Sequence, residues 1–219
     1  MPYYSQPNTY SLREEIAHAI SHGIGAGLAV IGLVILLITA IRYGNVLHIV
    51  SAAIYGSSLF LLYMASTLYH LFSNPRVKRF FQQLDHSMIY VLIAGTYTPL
   101  TLVTLRGAWG WTLFSLVWGM AFCGLTLELV LKKRLQRMSL VLYLGMGWLL
   151  VVAVKPLVLS LAPGGLMLLL SGGLLYTSGV LFYVWKSLTY HHAIWHLFVL
   201  AGSTMHFFAI LLYVMPTAQ

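Results

Sequence analysis

Long apolar runs separated by short polar stretches form the main pattern along this chain. Seven runs have the length of about 20 mostly apolar residues that a helix needs to cross the hydrocarbon core of a bilayer. Turn-forming segments such as Asn74-Pro75 lie between the runs. The pattern therefore predicts an all-α integral membrane protein, a bundle of seven transmembrane helices at residues 18–41, 48–71, 85–105, 109–131, 139–161, 166–185 and 192–214.

Composition narrows this picture to one membrane domain. Of the 219 residues, 60% are hydrophobic and 7% are charged, whereas soluble domains carry about 25% charged residues. We expect a transmembrane domain at 18–214, a cytoplasmic N-terminal segment at 1–17 and a short external tail at 215–219. The first residues are polar, so we expect no cleavable signal peptide. The lone cysteine, Cys123, excludes an intrachain disulfide and is interpreted as a small packing residue.

The basic residues predict the orientation of the bundle. The net charge of +8 resides in short loops, which indicates contact with anionic lipid rather than with nucleic acid. With the N-terminus inside, nine basic residues lie on the cytoplasmic side, and the remaining Arg42, Arg106 and Lys155 lie outside. The nine are Arg13, Arg76, Lys78, Arg79, Lys132, Lys133, Arg134, Arg137 and Lys186. The positive-inside rule then predicts a cytoplasmic N-terminus and an external C-terminus.

Four ionisable residues are predicted to share one depth near the cytoplasmic side. His70 ends the second run, Asp85 begins the third, and His192 and His196 begin the seventh. Ionisable residues inside membrane helices are expensive and usually functional. Since three separate helices deliver them to one level, the sequence predicts a site there.

The spacing of these residues favours a metal ion. His192 and His196 are four apart, so both imidazoles lie on one helix face, and His70 is the best candidate for a third ligand. Three histidines with one open position are typical of catalytic zinc, although the ligand type also allows copper, nickel or iron.

The remaining histidines receive weaker predictions. His191 is expected in a loop, and His86 points about 100° away from Asp85 on its helix. His18 and His22 form another pair four apart that would line the cavity or support the ligands. His206 lies ten residues beyond His196, roughly 15 Å deeper, which is too far to bind the same ion.

Four motifs occur in an order that resembles a known family. They are Ser-His-Gly-Ile-Gly at 21–25, Ser66 four residues before His70, Leu84-Asp85 followed by Ala-Gly-Thr-Tyr-Thr-Pro at 94–99, and His-Ala-Ile-Trp-His at 192–196. Together they resemble the bacterial hemolysin III proteins, the prokaryotic branch of the progestin and adipoQ receptor family. The resemblance covers nearly the whole chain.

The resemblance implies a seven-helix bundle with zinc near the cytoplasmic face. His70, His192 and His196 would be the ligands, Asp85 would hold the zinc-bound water, and Ser66 would face the same site. The wider superfamily includes membrane ceramidases, which implies hydrolysis of a lipid amide or ester and a role in membrane lipid homeostasis.

The expected mechanism is metal-assisted hydrolysis in the plasma membrane, with a lipid or fatty-acyl partner held in an apolar cavity. Asp85 would act as general base and Ser66 would donate a hydrogen bond to the developing oxyanion. Three alternatives stay open: a lipid or energy-state sensor with a structural zinc, a pore-forming cytolysin, and a haem-binding cytochrome that uses His192 and His206. The oligomeric state is not predicted.

Overall fold

The computed structural model describes the backbone of residues 10–131 and 136–216. These residues form eight α-helices, joined by short links: α1 (Leu12–Tyr43), α2 (Val46–Leu71), α3 (Pro75–Pro99), α4 (Gly107–Leu131), α5 (Gln136–Trp148), α6 (Val154–Ser160), α7 (Pro163–Val184) and α8 (His191–Tyr213). A π-helical segment, Leu100–Leu105, continues α3, and a 3₁₀ segment, Leu149–Ala153, joins α5 to α6.

Within these ranges, seven helical stretches are long and apolar enough to cross a membrane. Five of them are single helices. The third consists of α3 with its π-helical extension, and the fifth combines α5, the 3₁₀ segment and α6. The predicted seven-span architecture is therefore confirmed.

Two helices begin well before the predicted start of their runs, because their caps lie in polar sequence. α1 begins at Leu12 rather than at 18, with a capping box in which the Ser11 and Glu14 side chains each bind the other's backbone N–H. α3 begins at Pro75 rather than at 85, where the Asn74 side chain accepts from two backbone N–H groups. A hydropathy pattern reveals where an apolar run begins, but it does not reveal polar residues that form the first turns of the same helix.

Several predictions concern residues outside the described ranges. They include residues 1–9 of the N-terminal segment, residues 217–219 of the tail and the basic residues Lys132, Lys133 and Arg134.

The α-helix of the fifth span is interrupted near its middle by the 3₁₀ segment. The break follows Trp148, and the Tyr97 hydroxyl of α3 fills it by donating to the Gly147 carbonyl (3.0 Å) and accepting from the Leu150 N–H (2.7 Å). One side chain thus satisfies two backbone groups that the interrupted helix leaves without partners, which matters because lipid offers none.

Neighbouring helices pack in chain order, and the first helix closes the bundle against the last. α1 packs on α2, α2 on α3, α3 on α4, α7 on α8, and α1 also contacts α8. Large apolar side chains at 16, 20, 24, 28 and 31 of α1 are exposed, as expected for a lipid-facing stripe.

The packing predicted for Cys123 is not found, and one glycine of α1 also lies in open space. Cys123 is exposed, so its side chain faces outward from the bundle instead of packing inside it. A Cβ added at Gly27 would meet no atom within 4 Å, so this glycine does not provide a close helix approach. Hydropathy identifies a span, but it does not identify which face of the span packs when apolar residues surround the whole helix.

Candidate functional site

Three histidines from two helices converge at one end of the bundle. His70 lies in the last turn of α2, and His192 and His196 lie in the first turns of α8. One ring nitrogen from each lies within 4.8 Å of the others, and all three residues are buried. The structure therefore brings together the three residues that the sequence singled out for metal binding.

Hydrogen bonds leave a lone pair free on two of these rings. The Glu15 carboxylate accepts from Nδ1 of His70 (2.7 Å). Ser21 donates its hydroxyl proton to the His18 carbonyl (2.9 Å), so it accepts from Nδ1 of His196 (3.0 Å). In the neutral form of both rings Nε2 then carries the lone pair, and within the described part of the chain it has no partner.

The free nitrogens fit a metal with imidazole ligands. Both ring nitrogens of His192 are also buried without a partner among the described residues. Buried polar atoms without partners are costly and call for an explanation. Metal-binding histidines characteristically donate their other N–H to a carboxylate or a neighbouring oxygen, which is what His70 and His196 do. The donor set suits zinc among common ions.

Two more histidines from α1 complete a five-histidine cluster. The His18 ring centroid lies 4.6 Å from that of His70 and 4.8 Å from that of His192. His22 stacks on His196 with a centroid distance of 3.5 Å. Both α1 rings are buried, and none of their nitrogens has a partner within the described ranges. The structure thus places this pair beside the three histidines, and its role there stays a prediction.

Glu15 is the residue whose part in the site the sequence did not reveal. Its carboxylate contacts His70 and also accepts from Nζ of Lys78 (2.8 Å). Glu15, His18 and His70 form a second group of donors within 4.8 Å of one another. The spacing of Glu15, His18 and His22 at i, i+3 and i+7 marks one face of α1, and this was the available signal.

Asp85 and Ser66 lie beside the three histidines. Asp85 is buried on α3 and does not belong to either group of possible metal donors in the described ranges. Ser66 is buried one turn before His70, and its hydroxyl approaches the Asp85 carboxylate. The two groups do not form a standard hydrogen bond, since Ser66 Oγ has no partner among the described residues.

A cavity of about 440 Å³ extends from this site into the bundle. His22, Asp85 and His192 line one end, and the wall continues along α3, α5, α7 and α8 with mainly apolar and aromatic side chains. Trp148, Tyr176, Thr177 and His206 line its deep part. The volume is in the range of ligand-binding pockets.

The other predicted histidines lie outside the set of three. His191 is not in a loop: it is the first residue of α8, buried, with Nδ1 donating to the Phe182 carbonyl (3.1 Å). His86 lines the cavity beside Glu128, whose carboxylate lies 3.4 Å from its Nδ1. The loop prediction for His191 was wrong because the preceding turn ends at Tyr190 in a left-handed conformation, so α8 begins at His191, one residue before His192.

Comparison with known proteins gives a consistent family. Residues 10–207 match the family described as Haemolysin-III related. The chain is 50% identical to "Hemolysin-3" of Bacillus cereus over 96% of both chains. It is 48% identical to "Hemolysin-3 homolog" of Bacillus subtilis (strain 168) over 93% of this chain and 96% of the relative.

A more distant similarity extends to animals. "Monocyte to macrophage differentiation factor" of Homo sapiens is 32% identical over 77% of this chain and 73% of that protein. It is a relative of the progestin and adipoQ receptor type. These matches and the seven apolar spans identify a multi-pass membrane protein, which in bacteria lies in the plasma membrane. The chain belongs to the haemolysin-III-related family.

Proposed function

We propose that this protein is a zinc-dependent hydrolase of a lipid amide or ester. One observation carries the proposal: three buried histidines lie together, each with a ring nitrogen that has no partner among the described residues, and one of them, His192, lines a cavity whose wall also contains Asp85. A metal site, a carboxylate and an apolar chamber are the parts that such a reaction needs.

His70, His192 and His196 would hold the ion. Glu15 and Ser21 would keep two of the rings oriented through their Nδ1 atoms. When bound, zinc would polarise the scissile carbonyl and activate a water molecule. Polarisation of the carbonyl by a metal ion is a contribution that the side chains themselves would not make.

The side chains beside the histidines would handle the proton and the developing charge. Asp85 is a buried carboxylate on the cavity wall, at the same end as His192, so it would take a proton from the attacking water. The Ser66 hydroxyl has no competing partner among the described residues, so it would donate to the oxygen on which negative charge develops. The apolar wall would hold the acyl chain and exclude bulk water.

The test combines metal content with hydrolysis in the purified protein. We expect about one zinc per chain, loss of zinc in His192→Ala and His196→Ala, and retention in the control His48→Ala, which lies outside the cluster and the cavity wall. Asp85→Asn should keep zinc but lose activity by about 10²–10⁴-fold, because an amide cannot take the proton. The substrate is identified by lipid analysis of cells that express the protein or Asp85→Asn.

Three other outcomes of these measurements would contradict the proposal. Full zinc in both histidine variants would show that the site is misassigned. Zinc loss in Asp85→Asn would make the carboxylate a direct ligand and overturn the proposed mechanism. Retained zinc with an unchanged lipid profile would favour a sensor or receptor in which the ion only ties helices together.

Two relatives are named as hemolysins, and these names favour a second candidate function, that of a cytolysin. This function requires leakage of liposomes by the purified protein. Leakage that is unaffected by His192→Ala would separate it from the hydrolase, which depends on the histidines.

A further inference from the structure

Two groups of possible metal donors share one histidine. His70 belongs to the group with His192 and His196, and it also belongs to a second group. The other members of the second group are Glu15 and His18, and its donor atoms again lie within 4.8 Å of one another. Both ring nitrogens of His18 are buried without a partner among the described residues. This end of the bundle therefore offers an ion a carboxylate as well as imidazoles.

A carboxylate ligand would change what the metal site can do. Zinc binds carboxylate oxygens as well as imidazole nitrogens, and a negative charge beside a dication is strongly attracted to it. A catalytic zinc ion keeps one position open for water, whereas a zinc ion with four protein ligands is closed and structural. A site with three histidines thus keeps its open position only if Glu15 stays off the ion.

Both carboxylate oxygens of Glu15 are bound to other groups. Oε2 accepts from Nδ1 of His70 (2.7 Å), and Oε1 accepts from Nζ of Lys78 (2.8 Å). The Lys78 side chain is 13% exposed and that of Glu15 is 14% exposed, so water and salt screen this pair less than they screen a surface ion pair. The ammonium group is therefore a positive charge that competes with an ion for the carboxylate.

Contacts with α2 hold Lys78 in place. Its Nζ donates to the Tyr69 carbonyl (3.2 Å) and lies 4.9 Å from the centroid of the Tyr69 ring. The Tyr69 hydroxyl accepts in turn from Nε2 of Gln82 (3.1 Å), one turn further along α3. Surface ion pairs are weak partly because two long side chains must be ordered to form them. Since Tyr69 already orders Lys78, this lysine can determine where the Glu15 carboxylate lies.

We propose that Lys78 is a positioning residue that keeps the Glu15 carboxylate from binding the metal ion. The ion is then held by imidazoles alone, and one position stays open for water. Without the ammonium group, Oε1 of Glu15 loses its partner and the carboxylate turns to the ion. This inference rests on the metal site of the proposed function, but it does not require turnover.

The test replaces zinc by cobalt in the purified full-length protein, because the visible spectrum of bound cobalt reports its ligands. Lys78→Met and Lys78→Gln both remove the positive charge, and the second variant serves if the first does not fold. At saturating cobalt, each should give a spectrum that differs from that of the unaltered protein, because a carboxylate oxygen joins the ion. Arg79→Met is the matched control, since Arg79 is the next residue of α3 and its Nε donates to the Pro75 carbonyl (3.0 Å).

Removal of the carboxylate separates this role from a general effect on folding. Lys78→Met should change the cobalt spectrum when Glu15 is present. The same substitution should leave the spectrum unchanged when it is added to Glu15→Gln. A lysine that only supports the fold would alter the spectrum equally in both backgrounds.

Zinc affinity provides a second measurement, in which a supporting role has the opposite sign. Lys78→Met should bind zinc at least as tightly as the unaltered protein, because the ion gains a ligand. Loss of a partner that merely supports a ligand lowers metal affinity about 10–100-fold. The inference is overturned by loss of metal from both charge-free variants, by spectra equal to that of the unaltered protein, or by a spectral change that persists without the Glu15 carboxylate.

The two proposals fail separately. Absence of hydrolysis in a protein whose cobalt spectrum depends on Lys78 as described refutes the hydrolase and leaves the role of Lys78 intact. Hydrolysis by the unaltered protein together with any of the contradicting results refutes the role of Lys78 and leaves the hydrolase intact.

Discussion

At the scale of single residues, hydrogen-bond partners on α1 determine the orientation of two of the three imidazoles. Glu15 and Ser21 occupy Nδ1 of His70 and His196 and leave Nε2 free in both rings. Without these contacts each ring could rotate or change tautomer. The metal binding proposed for α2 and α8 thus depends on Glu15 and Ser21, which lie on a third helix.

Two adjacent glutamates allow this dependence to be measured. Glu15→Gln removes the negative charge beside His70, so we expect zinc affinity to fall about 10–100-fold, the usual effect of losing such a supporting partner. Glu14→Gln is the control, because Glu14 contacts Ser11 and the Tyr190 N–H instead. Competition with a chelator of known affinity provides the measurement, and equal effects of the two substitutions would refute the prediction.

Sequence alone located the three histidines but not their surroundings. The depth argument works for His70 and His192 because each lies at a recognisable end of an apolar run. It fails for Glu15, which precedes the run and looks like an interfacial charge. Contacts between α1 and α2 depend on how the helices are rotated about their axes, and apolar spans carry little rotational signal.

At the scale of elements, the broken fifth span shows how one side chain can replace part of a helical hydrogen-bond ladder. The sequence has a Lys155-Pro156 pair near one end of this span, yet the 3₁₀ segment Leu149–Ala153 lies before that pair. Its geometry is fixed by Tyr97 on another helix, so no local pattern could have revealed it.

A pair of tyrosine substitutions tests this replacement. Tyr97→Phe leaves the Leu150 N–H and the Gly147 carbonyl without their partner, so we expect a loss of about 1–3 kcal/mol in stability. Tyr55→Phe is the control, because the buried Tyr55 hydroxyl has no partner within the described residues and its removal should cost little. Thermal unfolding in detergent compares the two, and equal stability losses would contradict the assigned role of Tyr97.

At the scale of the whole molecule, the three histidines, Asp85 and the first turn of α1 lie at the same end of the bundle. The number of spans followed directly from hydropathy, because crossing lipid imposes a minimum apolar length. The direction in which the bundle crosses the membrane rests on charge distribution, and it stays a prediction.

We predict that the end with the histidines faces the cytoplasm. The nine-to-three distribution of basic residues favours that side through the positive-inside rule. A reporter that is active only outside the cell should therefore work when fused to the C-terminus and fail when inserted after Ser73, between α2 and α3. The reverse pattern would overturn the orientation.

The closure of α1 against α8 also has a consequence for biosynthesis. Helices enter the membrane in the order in which they are synthesised, and the proposed ligands come from α2 and from α8, the last of the helices. Until α8 arrives, His18, His22 and His70 lack the neighbours that enclose them, and polar side chains within a membrane are costly when left unpaired. The nascent protein would then be least stable just before its final helix inserts, and metal loading would mark the completion of assembly.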